Sequence, residues 1–272
     1  MLDVTTNLKS LLKDPSLVVD QSYVDGALID GDNGTFDVVN PARGDVIAQV
    51  ADMSRAQVAK AIAAAEVAQK EWATWTGKER SIVLRKWFDL MIENADDLAT
   101  ILTAEQGKPL AEAKGEITYG ASFIEFFAEE AKRIYGETIP GHQRDKRITV
   151  IKQPIGVVAS ITPWNFPNAM ITRKAAPALA AGCTFVGKPA GEPPLSATVL
   201  AVLAERAGIP KGVLNIVTST SESEVGKEFC ENPAIRKITF TGSTAVGRIL
   251  LRQAADQVLN CAMELGGDAP FV

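Results

Sequence analysis

Near the end of the chain, the segment VLNCAMELGGDAPFV (258–272) sets a thiol, Cys261, three positions before a carboxylate, Glu264. Thiol and carboxylate within reach of each other would be a nucleophile and its base. The segment reads as a buried strand, however, and side chains three apart on a strand point to opposite faces about 10 Å apart along the backbone. Cys261 is therefore expected to pack as a small buried hydrophobe. Glu264 ends that strand beside Gly266 and Gly267, where a carboxylate is costly unless it has a partner or a task.

Three other places carry polar groups that could do chemistry. Asn165, between Trp164 and Phe166 in a proline-bounded turn, either satisfies its own turn or aims its amide at a developing oxyanion. Lys188 precedes Pro189 at the end of an apolar run, as a solvated strand terminus or as a donor to ribose hydroxyls or a ribose phosphate. Gly242 and Ser243 open a helix that could receive a phosphate, although Ser243 or Thr244 also reads as an ordinary cap. The GxGxxG fingerprint is absent from the first strand-to-helix turn, where residues 163–167 read PWNFP. His142 is the one histidine, and Cys183, Cys230 and Cys261 lack CxxC spacing, so neither a zinc site nor a Ser/His/Asp triad is expected.

Five apolar runs, IGVVASI, CTFVGK, GVLNIV, IRKITF and VLNCAMEL, alternate with helical segments from residue 155 onward. That alternation predicts an α/β fold, a doubly wound, five-stranded parallel sheet of Rossmann-like type covered on both faces. Ligands of such sheets lie beyond the carboxyl ends of the strands. Those ends carry TPWNFP, KPAG, TSTS, FTGST and ELGG. Upstream, Ser54 caps a helix with Val58, Ile62, Ala65 and Ala68 at helical spacing, and further helices follow. YVDGALIDGDNGTFDVVNP reads as small hairpins, and RITVIKQP as a strand with one exposed face, an arm suited to assembly.

The 272 residues, 46% hydrophobic and 22% charged, can form a substantial core, and a net charge of −5 argues against a general nucleic-acid binder. The basic stretch HQRDKR reads as a solvated loop. No stretch approaches a membrane span and the N-terminus lacks signal-peptide features, so a cytoplasmic location is expected, with neither nucleic acid nor membrane as partner.

PWNFP, GKPA, FTGST and MELGG, in this order at successive strand ends, resemble the aldehyde dehydrogenase superfamily. The likeness runs from about Tyr23 to the last residue. Residues 136–184 are similar to bacterial, NADP-using succinate-semialdehyde dehydrogenases. The resemblance implies a cofactor-binding domain over residues 1–268, with an oligomerisation-like arm at 136–154 and the start of a catalytic domain at 269–272. It implies that Trp164, Asn165, Lys188, Ala190, Gly191, Gly242, Ser243 and the Leu265 backbone surround NADP or NAD. It makes Asn165 half of an oxyanion hole, Glu264 the water-activating base, and Arg173 the partner of the substrate's distal carboxylate. The implied assembly is a homodimer or homotetramer.

Several positions depart from the family. Gly191 stands where NAD-preferring relatives carry a glutamate, which permits NADP, yet Glu192 follows and a shifted loop could restore the acid. Asp268 replaces an asparagine. The family's thiol lies about thirty residues beyond the position of Glu264, whereas this sequence ends eight residues beyond it, and none of its cysteines matches. These 272 residues are therefore expected not to oxidise aldehydes alone. The alternatives are a non-catalytic nucleotide-binding or oligomerising fragment, or an aldehyde dehydrogenase with another aldehyde.

Overall fold

The computed structural model describes residues 8–267. Asp268 and the expected domain start at 269–272 lie outside the described residues.

The apolar runs form the parallel strands β7 (Val157–Ile161), β8 (Thr184–Lys188), β9 (Leu214–Ile216), β10 (Ile235–Thr241) and β11 (Asn260–Glu264). Their order, β11-β10-β7-β8-β9, is continued by two further strands, β1 (Ser22–Val24) and β2 (Ala27–Ile29), on the β9 edge. The sheet is thus seven-stranded rather than five-stranded, because the first hairpin adds antiparallel to β9. Its turn is Asp25-Gly26, both at positive φ (53° and 73°), as a two-residue connection of this hand requires. A separate hairpin pairs β3 (Thr35–Val39) with β4 (Val46–Ala51).

Helices follow from the expected signals at α1 (Arg55–Trp72), α2 (Gly77–Glu93), α3 (Ala95–Gln106), α4 (Leu110–Glu130), α5 (Pro167–Ala180), α6 (Leu195–Ala207), α7 (Glu222–Glu231) and α8 (Thr244–Ala254). Ser54 with Gln57, and Thr76 with Glu79, close capping boxes on α1 and α2. Strand alternation then divides the core. Val158, Phe185, Leu214 and Ile216 pack with α2–α6, while Val157, Ala159, Val186, Val217, Ile238 and Phe240 pack with α1, α7 and α8. The strand order reverses between β7 and β10, which places the ligand crevice above their carboxyl ends.

Two turns that face this crevice lead into α5 and α6, and neither helix caps itself with its own side chain. The caps come from the N-terminal helices. Fully buried Glu116 of α4 accepts from the amides of Asn168 and Ala169 (3.0 and 3.2 Å) and pairs with Lys108. Lys108 also donates to the Asn165 carbonyl (3.0 Å) and lies 3.9 Å from the Phe166 ring centroid. Glu105, on α3, accepts from the amides of Leu195 and Ser196, each at 2.7 Å.

The expected arm is a hairpin of β5 (Glu137–Pro140) and β6 (Arg147–Val150), with the HQRDKR segment at its turn. Both of its faces are exposed, not one, because no other element of the described chain covers it, and the strand ends at Val150.

Breaking the Lys108–Glu116 pair strands a buried charge and uncaps α5. Glu116→Ala should lower the unfolding free energy by about 3–5 kcal/mol in denaturant titrations. Glu125→Ala, which removes the half-exposed partner of Arg85, should cost less than about 1 kcal/mol.

Candidate functional site

A cleft of about 540 Å³ opens where the sheet reverses, between the ends of β7, β8 and β10 and the helices α7 and α8. Its lining includes five residues singled out from the sequence: Trp164, Lys188, Ala190, Gly242 and Ser243. Ser243 caps α8, its Oγ accepting from the Val246 amide at 3.3 Å. Ordinary cap and cleft residue are thus one side chain, because the first turn of a helix leaves amides free beyond the one that is capped. Gly191 borders open space, with nothing within 4 Å of where a Cβ would stand.

Three residues of the same lining, Thr162, Thr241 and Gln253, each hold a buried side-chain oxygen (Oγ1, Oγ1 and Oε1) with no hydrogen-bond partner among the described residues. Buried polar atoms are rarely left so, and three around one cleft fit a polar ligand or ordered water. Sequence reasoning missed all three, although Thr162 and Thr241 directly adjoin the flagged turns.

The second assembly lies on the other face of the sheet. A groove of about 530 Å³ between α5 and β10–β11 is lined by Arg173, Lys174, Lys237, Thr239 and Glu264, among others. Arg173 donates to the Tyr119 hydroxyl at 2.9 Å, and its guanidinium lies 4.9 Å from the Phe123 ring centroid. It forms an ion pair with no carboxylate of the described chain. Lys174 is 7% exposed and donates to Thr239 Oγ1 at 3.0 Å. Burial pulls its ammonium down to about 8, opposed by the negative charge of Glu264. Its signal was present in the sequence: three positions after buried Ile171, it falls on the sheet-facing stripe of α5.

Glu264 and Cys261 do face opposite sides: Glu264 lines the groove, while Cys261 and Met263 pack against the α7–α8 side of the core. Two expectations need correction. Glu264 is exposed rather than buried and Cys261 is half-buried, because β11 is an edge strand paired only with β10. Asn165 is exposed too, and its side-chain amide makes no hydrogen bond among the described residues, so the reading in which it satisfies its own turn is not the one seen. Asn165, Gly191 and Leu265 lie outside both linings, though the Leu265 side chain packs against Gly247 of α8.

The other thiols are distant from this site or inert. Cys230 is buried, which pushes its thiol up to about 12, and burial raises the Cys261 thiol as well. Cys183 borders the groove but precedes β8 at the amino end of the sheet, level with Gly156, whereas Glu264 is level with Thr162. At about 3.3 Å per residue that offset is on the order of 20 Å. Among the described residues no cluster of His, Cys, Asp or Glu could hold a metal ion, and no helix is long and apolar enough to cross a membrane.

A Rossmann-like sheet whose strand ends carry these residues defines a class, and sequence comparison makes it specific. The profile of the aldehyde dehydrogenase family matches residues 28–272, and the chain belongs to that family. It is 63% identical over 262 residues to the glutarate-semialdehyde dehydrogenase of Pseudomonas aeruginosa (strain PAO1). It is 58% identical over 262 residues to an NADP(+) succinate-semialdehyde dehydrogenase of Escherichia coli (strain K12). Each alignment covers 96% of this chain and 54% of the relative, so the chain spans about half the length of both. The crystal structure of an aldehyde dehydrogenase from Brucella melitensis biovar abortus 2308 superposes with a TM-score of 0.94 at 59% identity, covering 96% of this chain and 54% of that one.

The depressed Lys174 ammonium can be observed directly. In carbon-labelled lysine NMR spectra, one resonance should titrate near pH 8 and disappear in Lys174→Met. Between about pH 8 and 10.5 the unfolded chain holds the extra proton, so this group should make stability rise with pH.

Proposed function

We propose that these residues are the nucleotide-binding part of a dehydrogenase that oxidises succinic semialdehyde to succinate with NADP or NAD. The observation that carries this reading is the sharing of one groove by Glu264, a carboxylate, and Arg173, a guanidinium with no carboxylate partner among the described residues. A semialdehyde with a distal carboxylate would give Arg173 that partner, and a planar guanidinium can bind it through two parallel hydrogen bonds. The names of the relatives support the substrate class, and glutarate semialdehyde has the same distal group.

In this reading the cleft holds the nucleotide. Lys188, Ala190 and Gly191 would hold its adenosine ribose, Gly242 and Ser243 its pyrophosphate at the start of α8, and Trp164 and the Leu265 backbone its nicotinamide. Held there, the nicotinamide would supply the hydride acceptor. Asn165, its amide uncommitted, donates to the oxygen of the reacting carbonyl, and Glu264 removes a proton from the water that attacks the acyl group. Lys174 lends its positive charge to Glu264 from the floor of the groove.

Acyl transfer also requires a thiolate near Asn165 and Glu264, and Cys183, Cys230 and Cys261 all stand elsewhere. The 272 residues alone should bind nucleotide without turnover. The arm at 136–154, exposed on both faces, fits contact with another subunit in a dimer or tetramer.

Purified chain should enhance the fluorescence of NADPH or NADH on titration, yet produce no NADPH from NADP and succinic semialdehyde. Steady turnover would overturn the reading of the cysteines, and failure to bind either nucleotide would overturn that of the cleft. In a longer chain that supplies the thiol, Arg173→Ala should raise KM for succinic semialdehyde about 10–100-fold. An uncharged aldehyde of similar length should change by less than about twofold.

A further inference from the structure

Lys188 does not enter the cleft as a free cation. Its side chain is 2% exposed, and its Nζ donates to the Pro189 carbonyl and to Oε1 of Glu222, each at 3.2 Å. Glu222 is the first residue of α7, lines the same cleft, and is 72% exposed on its side chain. Lys188 is the one side-chain partner it has in the described chain. The neighbouring acids of α7 are committed elsewhere: Glu224, Glu228 and Glu231 all hold Arg55.

An ammonium offers only donors and a carboxylate only acceptors, so their pairing has a chemical preference. A ribose hydroxyl can accept from Lys188 and donate to Glu222 at once. A phosphate monoester carries about −1.5 to −2 charges and only acceptors at neutral pH, so it can use Lys188 but is repelled by Glu222. The absence of an acid at Gly191, which borders open space, does not remove this second acid.

We propose that Glu222 is a specificity-determining residue of the nucleotide cleft, lowering affinity for a 2′-phosphorylated nucleotide relative to one with a free 2′-hydroxyl. The inference rests on the nucleotide-binding reading of the cleft. It separates the acid that acts from the one adjacent in sequence: Glu192 lines the same cleft but forms no ion pair with Lys188.

The test is the ratio of dissociation constants for NADPH and NADH, measured by fluorescence titration of the purified chain and its Glu222→Gln, Glu192→Gln and Lys188→Met variants. A ratio is insensitive to small differences in the folded fraction. Glu222→Gln should lower the NADPH/NADH ratio of Kd values about tenfold at low ionic strength. The shift should shrink at about 0.5 M salt, because the carboxylate is exposed and screened. Lys188→Met should weaken both nucleotides. If Glu222→Gln changes the ratio by less than about twofold, or Glu192→Gln gives the larger change, the assignment to Glu222 is wrong while nucleotide binding stands. If the parent chain binds neither nucleotide, the reading of the cleft fails and the inference falls with it.

Discussion

Two buried carboxylates hold up the face of the molecule where the cleft opens. Every helix begins with amides that lack intrahelical partners, and a Ser, Thr, Asp or Asn at the start ordinarily serves them. The helices after β7 and β8 begin at Phe166 and Pro194, which cannot. Glu116 and Glu105 reach in from the N-terminal helical layer and cap them instead. The turns before α5 and α6 are thereby relieved of capping, and Trp164 and Asn165 are left exposed while Lys188 and Ala190 stay buried at the cleft wall. The helix after β10 shows the other solution, since Ser243 both caps α8 and lines the cleft.

Outside capping makes the N-terminal helices part of the site. Glu105 is wholly buried, and burial pushes its carboxyl up to about 8 even though two amide hydrogen bonds favour its ionised form. Lys108 offsets the charge of Glu116, and its remaining contacts, the Asn165 carbonyl and the Phe166 ring, bind the first turn to the same ion pair. A change in α3 or α4 therefore reaches the strand ends without touching a ligand. These helices pack against α5 and α6, and their own buried faces are continuous with the core under that side of the sheet.

What the sequence made legible was local in the chain. Alternation of apolar runs with helical segments yields the five parallel strands and their crossovers. The period of two along β11 separates Cys261 from Glu264 without any structure. Turn residues mark the strand ends where the cleft forms. What stayed hidden depends on contacts distant in sequence. Lys188 and Glu222 are 34 residues apart, and Glu105 caps a helix 90 residues downstream. The exposure of Glu264 follows from β11 being an edge strand, a property of sheet order that no single strand encodes. The addition of β1 and β2 to the sheet is of the same kind: the hairpin is readable in its Asp-Gly turn, but its docking onto β9 is not.

Cleft and groove lie on opposite faces of the sheet, yet one short segment serves both. The Gly242 amide donates to the Glu264 carbonyl at 3.1 Å, and Thr244 Oγ1 donates to the Gly266 carbonyl at 3.3 Å, which ties the end of β11 to the turn that opens α8. Across that junction, strand alternation sends consecutive side chains to different sides. Glu264 turns to the groove beside Arg173 and Lys174, and Leu265 turns to Gly247 of α8, where an added Cβ would come within 2.5 Å of its side chain. A one-residue slip of β11 would exchange the two and place a carboxylate against a helix that has no room for it. The same constraint that separates Cys261 from Glu264 thus joins Glu264 to Leu265, adjacent in the chain and each committed to its own face of the sheet.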